Sequence, residues 1–279
     1  MEVVAIAGVG LIGASFGLAL RKAGFSGPIA GISSPSALAA GFECGAISSQ
    51  MTLAEAARQA DLIYLAQPVD RILQTIEELG PLVRPGCLIT DAGSTKGQIV
   101  EQAVRHLPLT AFLGGHPLAG KEKRGAAAAD ADLFRNRPYV LTPSGPETPA
   151  SCEFREWLAR MGTLVLDTSP QEHDRTVALT SHLPQLVSTA LAATLAGQSS
   201  EMLGKIFGSG LIDMTRLALS TPDLWSSIFT TNKLEVLTAL DAFLSTLKQT
   251  RKALESEDLS EIFHTASDFA ASIRKIHNK

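Results

Sequence analysis

Gly8-Val9-Gly10-Leu11-Ile12-Gly13 follows an apolar run, Glu2–Ala7, and opens a stretch rich in Ala and Leu, Leu11–Ala23. Strand, glycine-rich turn and helix in that order give each glycine a job. The first permits a tight turn, the second admits an anionic group to the backbone, and the third lets the helix lie close on the strand. Unpaired amides at the helix N-terminus then face that anion. A purely structural glycine turn is the plain alternative. The flanking elements favour a dinucleotide pyrophosphate, held by Gly8, Gly10, Leu11, Ile12 and Gly13, with Gln67 counted on the same side.

Outward from this turn, short apolar runs alternate with helical patterns. Pro28–Ser33, Asp61–Ala66, Cys87–Asp91 and Ala111–Gly115 read as buried strands, with helices over Val69–Leu79 and Lys96–His106. Pro138–Thr142 and Thr163–Asp167 read as further strands around a helix at Glu147–Met161. Such alternation predicts an α/β fold with a Rossmann-type, doubly wound, mostly parallel sheet. Past Thr168 the texture becomes helical: Ser169-Pro170 is a helix start, and Leu234–Lys252 and Leu259–Ile276 repeat apolar residues at three- and four-residue spacing. The expected division is a dinucleotide-binding domain over residues 1–168 and an all-α domain over 169–279.

A carboxylate for the adenine ribose is expected about 20 residues after the turn, at the end of the second strand. Ser33 stands there, followed by Ser34, and no Asp or Glu occurs from Val3 to Phe42. Nothing there repels a 2′-phosphate, and Ser33, Ser34 and Ser36 offer it hydrogen bonds, but no arginine is beside them. The expectation is a weak preference for NADP, with NAD still usable.

Two further segments carry chemistry. Gly114-Gly115-His116-Pro117-Leu118-Ala119-Gly120 holds a histidine between glycines and a proline, and a histidine near neutral pH accepts protons. With a nicotinamide bound, His116 is a candidate general base for hydride transfer. Asp91-Ala92-Gly93-Ser94-Thr95-Lys96 ends a strand at the ligand crevice, where Ser94 either bonds substrate or nicotinamide, or merely caps the next helix. His182 lies in an apolar helical run two residues before Pro184, which cannot donate to Thr180 and should kink the helix. By pattern alone such a histidine reads as a core residue. His106, His173, His264 and His277 read as solvated or structural.

The GxGLIG start, the DxGSxK segment and GGHPLAG together resemble the prephenate/arogenate dehydrogenase family of tyrosine biosynthesis. The resemblance continues through Lys121-Glu122-Lys123-Arg124-Gly125, Leu133-Phe134, Tyr139-Val140-Leu141-Thr142-Pro143, Ser181-His182-Leu183-Pro184 and Asp213-Met214-Thr215-Arg216. It implies oxidative decarboxylation of prephenate, arogenate or both, by hydride transfer to NAD(P). It assigns His116 as the catalytic histidine, with Ser94 beside it, Arg216 as the substrate-binding arginine and His182 at the substrate. Glu122, Asp213 and Trp225 match positions near the pocket entrance or the substrate side chain, although both carboxylates also suit pairing with nearby cations. The resemblance also assigns substrate binding and dimerisation to the all-α domain, residues 169–279, and implies a homodimer.

Composition sets the outer limits. Of 279 residues, 45% are hydrophobic and 19% charged, which suits a packed protein. The net charge of −4, without a basic run, argues against a nucleic-acid partner. Three scattered cysteines suit reduced thiols, and no spacing suggests a metal. The uncharged runs Val3–Leu20 and Thr176–Ser200 are broken by glycines or polar groups, and Glu2 is the wrong sign for a leader. A cytoplasmic location is expected, with no room for an added mutase or regulatory domain. The competing readings are a β-hydroxyacid dehydrogenase, whose lysine would be sought where His182 stands, and a non-catalytic NADP sensor.

Overall fold

A computed structural model describes residues 1–108, 111–199 and 201–277; Ser200 and the side chains of Ile276 and His277 lie outside the description. Eight strands are present among the described residues: β1 Val4–Ala7, β2 Ile29–Ile32, β3 Ser49–Gln50, β4 Leu62–Leu65, β5 Leu88–Asp91, β6 Phe112–Pro117, β7 Pro138–Pro143 and β8 Leu164–Asp167. They form one sheet in the order β3-β2-β1-β4-β5-β6-β7-β8, parallel throughout except where β7 runs antiparallel to β6. The order reverses between β1 and β4, so the crevice beyond their carboxyl ends is where an open α/β sheet takes its ligand.

Helices α1 Leu11–Lys22, α2 Pro35–Glu43, α3 Leu53–Gln59, α4 Val69–Leu79, α5 Gly97–His106 and α6 Pro149–Arg160 clothe this sheet. On β1, Val4 and Ile6 join one core with Phe16, Leu20 and Tyr64, while Ala5 and Ala7 join another with Ile63, Ile72 and Ile89. Both faces are covered, which is why the strands are continuously apolar rather than alternating. Phe16 stacks on Tyr64 at 3.8 Å between ring centroids and ties α1 to the sheet. The glycine turn is sterically obligatory. Gly8 has φ +95°, and a Cβ on Gly13 would sit 2.1 Å from the Gly8 carbonyl oxygen.

Beyond β8 come α7 Pro170–Val177, α8 Leu183–Ala196, α9 Ser209–Thr215 and α10 Pro222–Thr231. Between α7 and α8 the residues Ala178–His182 form a π-helical turn. The kink expected from Pro184 therefore takes the form of a widened turn just before it, where its missing N–H leaves the ladder unsatisfied. By contacts these helices belong to one compact unit, Met1–Lys233, with the sheet. A second unit, Leu234–Lys279, contains α11 Lys233–Glu255, apart from its first residue, and α12 Ser260–His277. Leu237, Leu244, Phe263 and Phe269 are exposed on that second unit. No helix among the described residues is long and apolar enough to cross a membrane.

Candidate active site

The carboxyl ends of β1, β4, β5 and β6 bring the glycine turn, Gln67, Ser94 and His116 to one edge of the sheet. Gly10 is the N-cap of α1 and has no side-chain cap. The first acceptor along that helix, its carbonyl, serves Ala14, which leaves the Leu11, Ile12 and Gly13 amides without an intrahelical partner. A Cβ placed on Gly10 would meet nothing within 4 Å, so open space lies over these donors. That cradle fits a dinucleotide pyrophosphate. Gln67 follows β4, packs its Cγ against Gly8 and accepts a hydrogen bond from Thr75 Oγ1 at 2.9 Å. Past β2, the Ser33 hydroxyl accepts from the Val9 N–H at 3.4 Å, and Ser34 caps α2 through the Ala37 N–H with Ser36 at 3.3 Å.

Beside this cradle, Asp91 and Lys96 form a fully buried ion pair. Lys96 also donates to the Gly115 carbonyl at 2.7 Å, and Asp91 accepts from the Gly115 and Gly93 N–H groups at 3.0 and 2.8 Å. Both ions are thus satisfied, as burial demands. They clamp the backbone immediately before His116. Burial lowers the Lys96 pKa, with Asp91 opposing the shift. Gly115 is required here: a Cβ on it would lie 2.7 Å from the Asp91 carbonyl oxygen.

His116 is half-buried near the end of β6, opposite Val140 of β7. Burial pushes its pKa well below the ordinary histidine value, and the charges of His173, Lys96 and His182 push the same way. It is therefore neutral at neutral pH and able to accept a proton. Its hydrogen-bond partner is not Ser94 but His173, whose Nε2 lies 2.8 Å from Nδ1 of His116. His173 is buried, and its Nδ1 meets Asp174 Oδ1 at 2.8 Å. Of the histidines read as solvated or structural, His106 and His264 are exposed, while His173 is part of the site.

Ser94 does not cap α5. Its neighbours are fixed instead by Asp174, whose carboxylate accepts the Lys96 and Gly97 N–H groups at 2.7 and 2.8 Å. The Ser94 hydroxyl, in the bend between β5 and α5, has no hydrogen bond to another described residue and is available to a ligand.

His182, at the end of the π turn, is buried, and its pKa is pushed down to about 4, chiefly by burial. Asn232 donates one amide hydrogen to the Asp174 carbonyl at 2.8 Å and faces His182 Nδ1 at 3.3 Å. His182 is thus a neutral ring that receives at Nδ1 and presents Nε2–H. Trp225 meets it edge-on at 5.9 Å and stacks on Phe229 at 5.2 Å, with its own indole N–H buried and unpartnered among the described residues. Gln185 donates to the Leu217 carbonyl and Ser188 accepts from the Ala218 N–H, which seats the Arg216 turn on α8. Arg216 is exposed and 3.8 Å from the exposed Glu122, a weak pair that leaves the guanidinium free to engage another carboxylate. Asp213 is exposed and makes no ion pair among the described residues.

Residues 16–165 match the family model described as prephenate dehydrogenase, nucleotide-binding domain, and residues 169–267 the one described as prephenate dehydrogenase, dimerization domain. The chain belongs to the prephenate dehydrogenase family. A prephenate dehydrogenase of Bacillus subtilis (strain 168) is 34% identical over 278 residues, covering 96% of this chain and 75% of the relative. Among solved structures of the family, prephenate dehydrogenase from A. aeolicus in complex with hydroxyphenyl propionate and NAD+ superposes with a TM-score of 0.91. It is 30% identical, and the match covers 99% of this chain and 98% of that one. The arogenate dehydrogenase of Synechocystis superposes with a TM-score of 0.84 at 30% identity, over 99% of this chain and all of that one. His116, Ser94, His182 and Arg216 all stand in a chain that keeps the family's fold from end to end.

Proposed function

We propose that this chain oxidatively decarboxylates a cyclohexadienol, prephenate or arogenate, with NAD(P) as hydride acceptor. The observation that supports this best is His116: a neutral imidazole at the sheet's carboxyl edge, which it shares with the dinucleotide cradle that follows β1. When bound, the nicotinamide supplies the acceptor for the hydride leaving the hydroxyl-bearing ring carbon. His116 takes the hydroxyl proton, so the C–O bond becomes a carbonyl as the hydride leaves. The ring carboxylate then departs as carbon dioxide, its electron pair enters the ring to complete the aromatic product, and the phenolate oxygen takes the proton back from His116. Ser94 hydrogen-bonds the hydroxyl or the nicotinamide. Arg216 recognises a substrate carboxylate through its planar fork, and His182 donates Nε2–H to the substrate. Trp225 offers a buried indole N–H in the same region, and Glu122 and Asp213 stand at the entrance.

The finer features follow from the same residues. Gly8, Gly10, Leu11, Ile12 and Gly13 hold the pyrophosphate, with Gln67 beside the turn. A weak preference for NADP is supported by Ser33, Ser34 and Ser36 where a ribose-binding carboxylate would repel a 2′-phosphate. The division into residues 1–168 and 169–279 is supported by family models that meet between residues 165 and 169. Exposed apolar side chains on α11 and α12 support a homodimer, and we place the enzyme in the cytoplasm.

One assay tests the reaction. The protein is incubated with prephenate or arogenate and each dinucleotide, while reduced-nicotinamide absorbance and released carbon dioxide are followed together. Equal amounts of both are expected, with the higher kcat/KM for NADP. Reduction without carbon dioxide would indicate a simple hydroxyacid dehydrogenase, and no reduction at all a cofactor sensor.

A further inference from the structure

Asp174 is a buried carboxylate with four hydrogen-bonding duties at one point in the fold. Oδ1 accepts from the Lys96 N–H and faces Nδ1 of His173, Oδ2 accepts from the Gly97 N–H, and its main-chain carbonyl accepts from Asn232. An ionised carboxylate only accepts, so Nδ1 of His173 carries a hydrogen. With the ring's one hydrogen placed there, Nε2 of His173 is the acceptor in the 2.8 Å contact and Nδ1 of His116 the donor. Nε2 of His116 is left as the ring's acceptor.

We propose that His173 and Asp174 are positioning residues, which set the tautomer of His116 through His173 and meet the charge that His116 gains on taking a proton. The inference rests on the reading of His116 as the base. As the hydroxyl proton arrives at Nε2 of His116, its Nδ1 proton moves toward, or onto, Nε2 of His173. The positive charge then lies against the Asp174 carboxylate, and no further proton donor or acceptor is needed. The other charged and titratable groups facing the pair are Lys96, held by Asp91, and His182. Lys96 opposes a positive charge on His116, so the compensation by Asp174 has a definite opponent.

Asp174 also caps α5, so His173 is the cleaner site for substitution. Ring-nitrogen NMR of uniformly labelled wild-type protein tests the arrangement without any variant. His116 is expected with hydrogen on Nδ1 and a bare Nε2; the opposite tautomer overturns the proposal, whether or not the protein turns over a cyclohexadienol. In kinetics, His173→Leu should lower kcat about 10²-fold or more, since a mis-set tautomer in a serine-protease triad costs about 10⁴. KM for the substrate and Kd for the dinucleotide should stay within about twofold. His173→Gln, whose amide oxygen can still accept from Nδ1, should recover part of the loss and guards against a misfolded leucine variant. If both variants fold and keep wild-type kcat while His116→Asn is inactive, the relay is wrong and the base stands. If His116→Asn also keeps full kcat, both the base and the relay that serves it are wrong.

Discussion

Replacing Gly13 and Gly10 by alanine, separately, should give opposite phenotypes from the same small addition. At Gly13 the new Cβ would lie 2.1 Å from the Gly8 carbonyl oxygen and 2.9 Å from Ile6 Cγ2. Relief to ordinary contact requires α1 to retreat by about an ångström, against a core that includes Ala14, Phe16 and Leu20. Overpacking of this kind costs about 1–3 kcal/mol. A backbone clash this close puts the cost at the upper end of that range, and the helix propensity of alanine returns at most about 1 kcal/mol, leaving a net loss of about 1–2 kcal/mol. At roughly 2–4 °C per kcal/mol, the Tm should fall by about 2–8 °C. At Gly10 the same methyl meets nothing within 4 Å. The weaker N-cap is offset by reduced freedom in the unfolded chain, so stability should be nearly unchanged. That methyl instead enters the space above the free amides of α1, and dinucleotide Kd should rise about tenfold or more. Thermal melts and nucleotide titrations of both variants decide it. A Gly13→Ala protein that melts with the wild type, or a Gly10→Ala protein with unchanged Kd, would refute the reasoning.

Arg216→Ala should act on substrate binding rather than chemistry: KM rises about tenfold, as loss of one charge-assisted hydrogen bond implies, while kcat holds. A fall in kcat at constant KM would instead move Arg216 into the chemical step. His182, held near a pKa of about 4 against 6.5 for the free group, is neutral in the fold and charges more readily when unfolded. Its contribution to stability is complete above about pH 6.5 and is lost as pH falls toward 4, by about 3 kcal/mol in all. Urea midpoints across this range should therefore decline more steeply for the wild type than for His182→Gln, and parallel curves would contradict the burial argument.

Much of the sheet could be read from the sequence because its strands are covered on both faces and so appear as uninterrupted apolar runs. Val69–Leu79 was legible to the residue for a related reason: a strongly one-sided apolar pattern between Pro68 and Gly80. β3, only Ser49–Gln50, carries no such pattern. The site divided along the same line. His116 and Ser94 sit in glycine-rich segments at strand ends, which local sequence betrays. His173 and Asp174 sit in Gln171-Glu172-His173-Asp174-Arg175, a polar run that looks solvated. Their burial depends on α5, whose N-terminus Asp174 caps across 78 residues. That distant cap also removes the capping role from Ser94, because Asp174 fills it from elsewhere. Asn232, which pairs with Nδ1 of His182, closes α10 and has no local signal at all. Its pairing is a product of tertiary structure alone.

The central claim is that His116 takes the substrate proton, and the kinetics of His116→Asn test it most directly. Asparagine keeps the volume and a hydrogen-bonding side chain but accepts no proton. The account predicts kcat for prephenate or arogenate lowered by about 10²–10⁴, with dinucleotide Kd unchanged. A variant that folds, binds the dinucleotide and retains nearly full kcat would remove His116 from the chemistry and contradict the account.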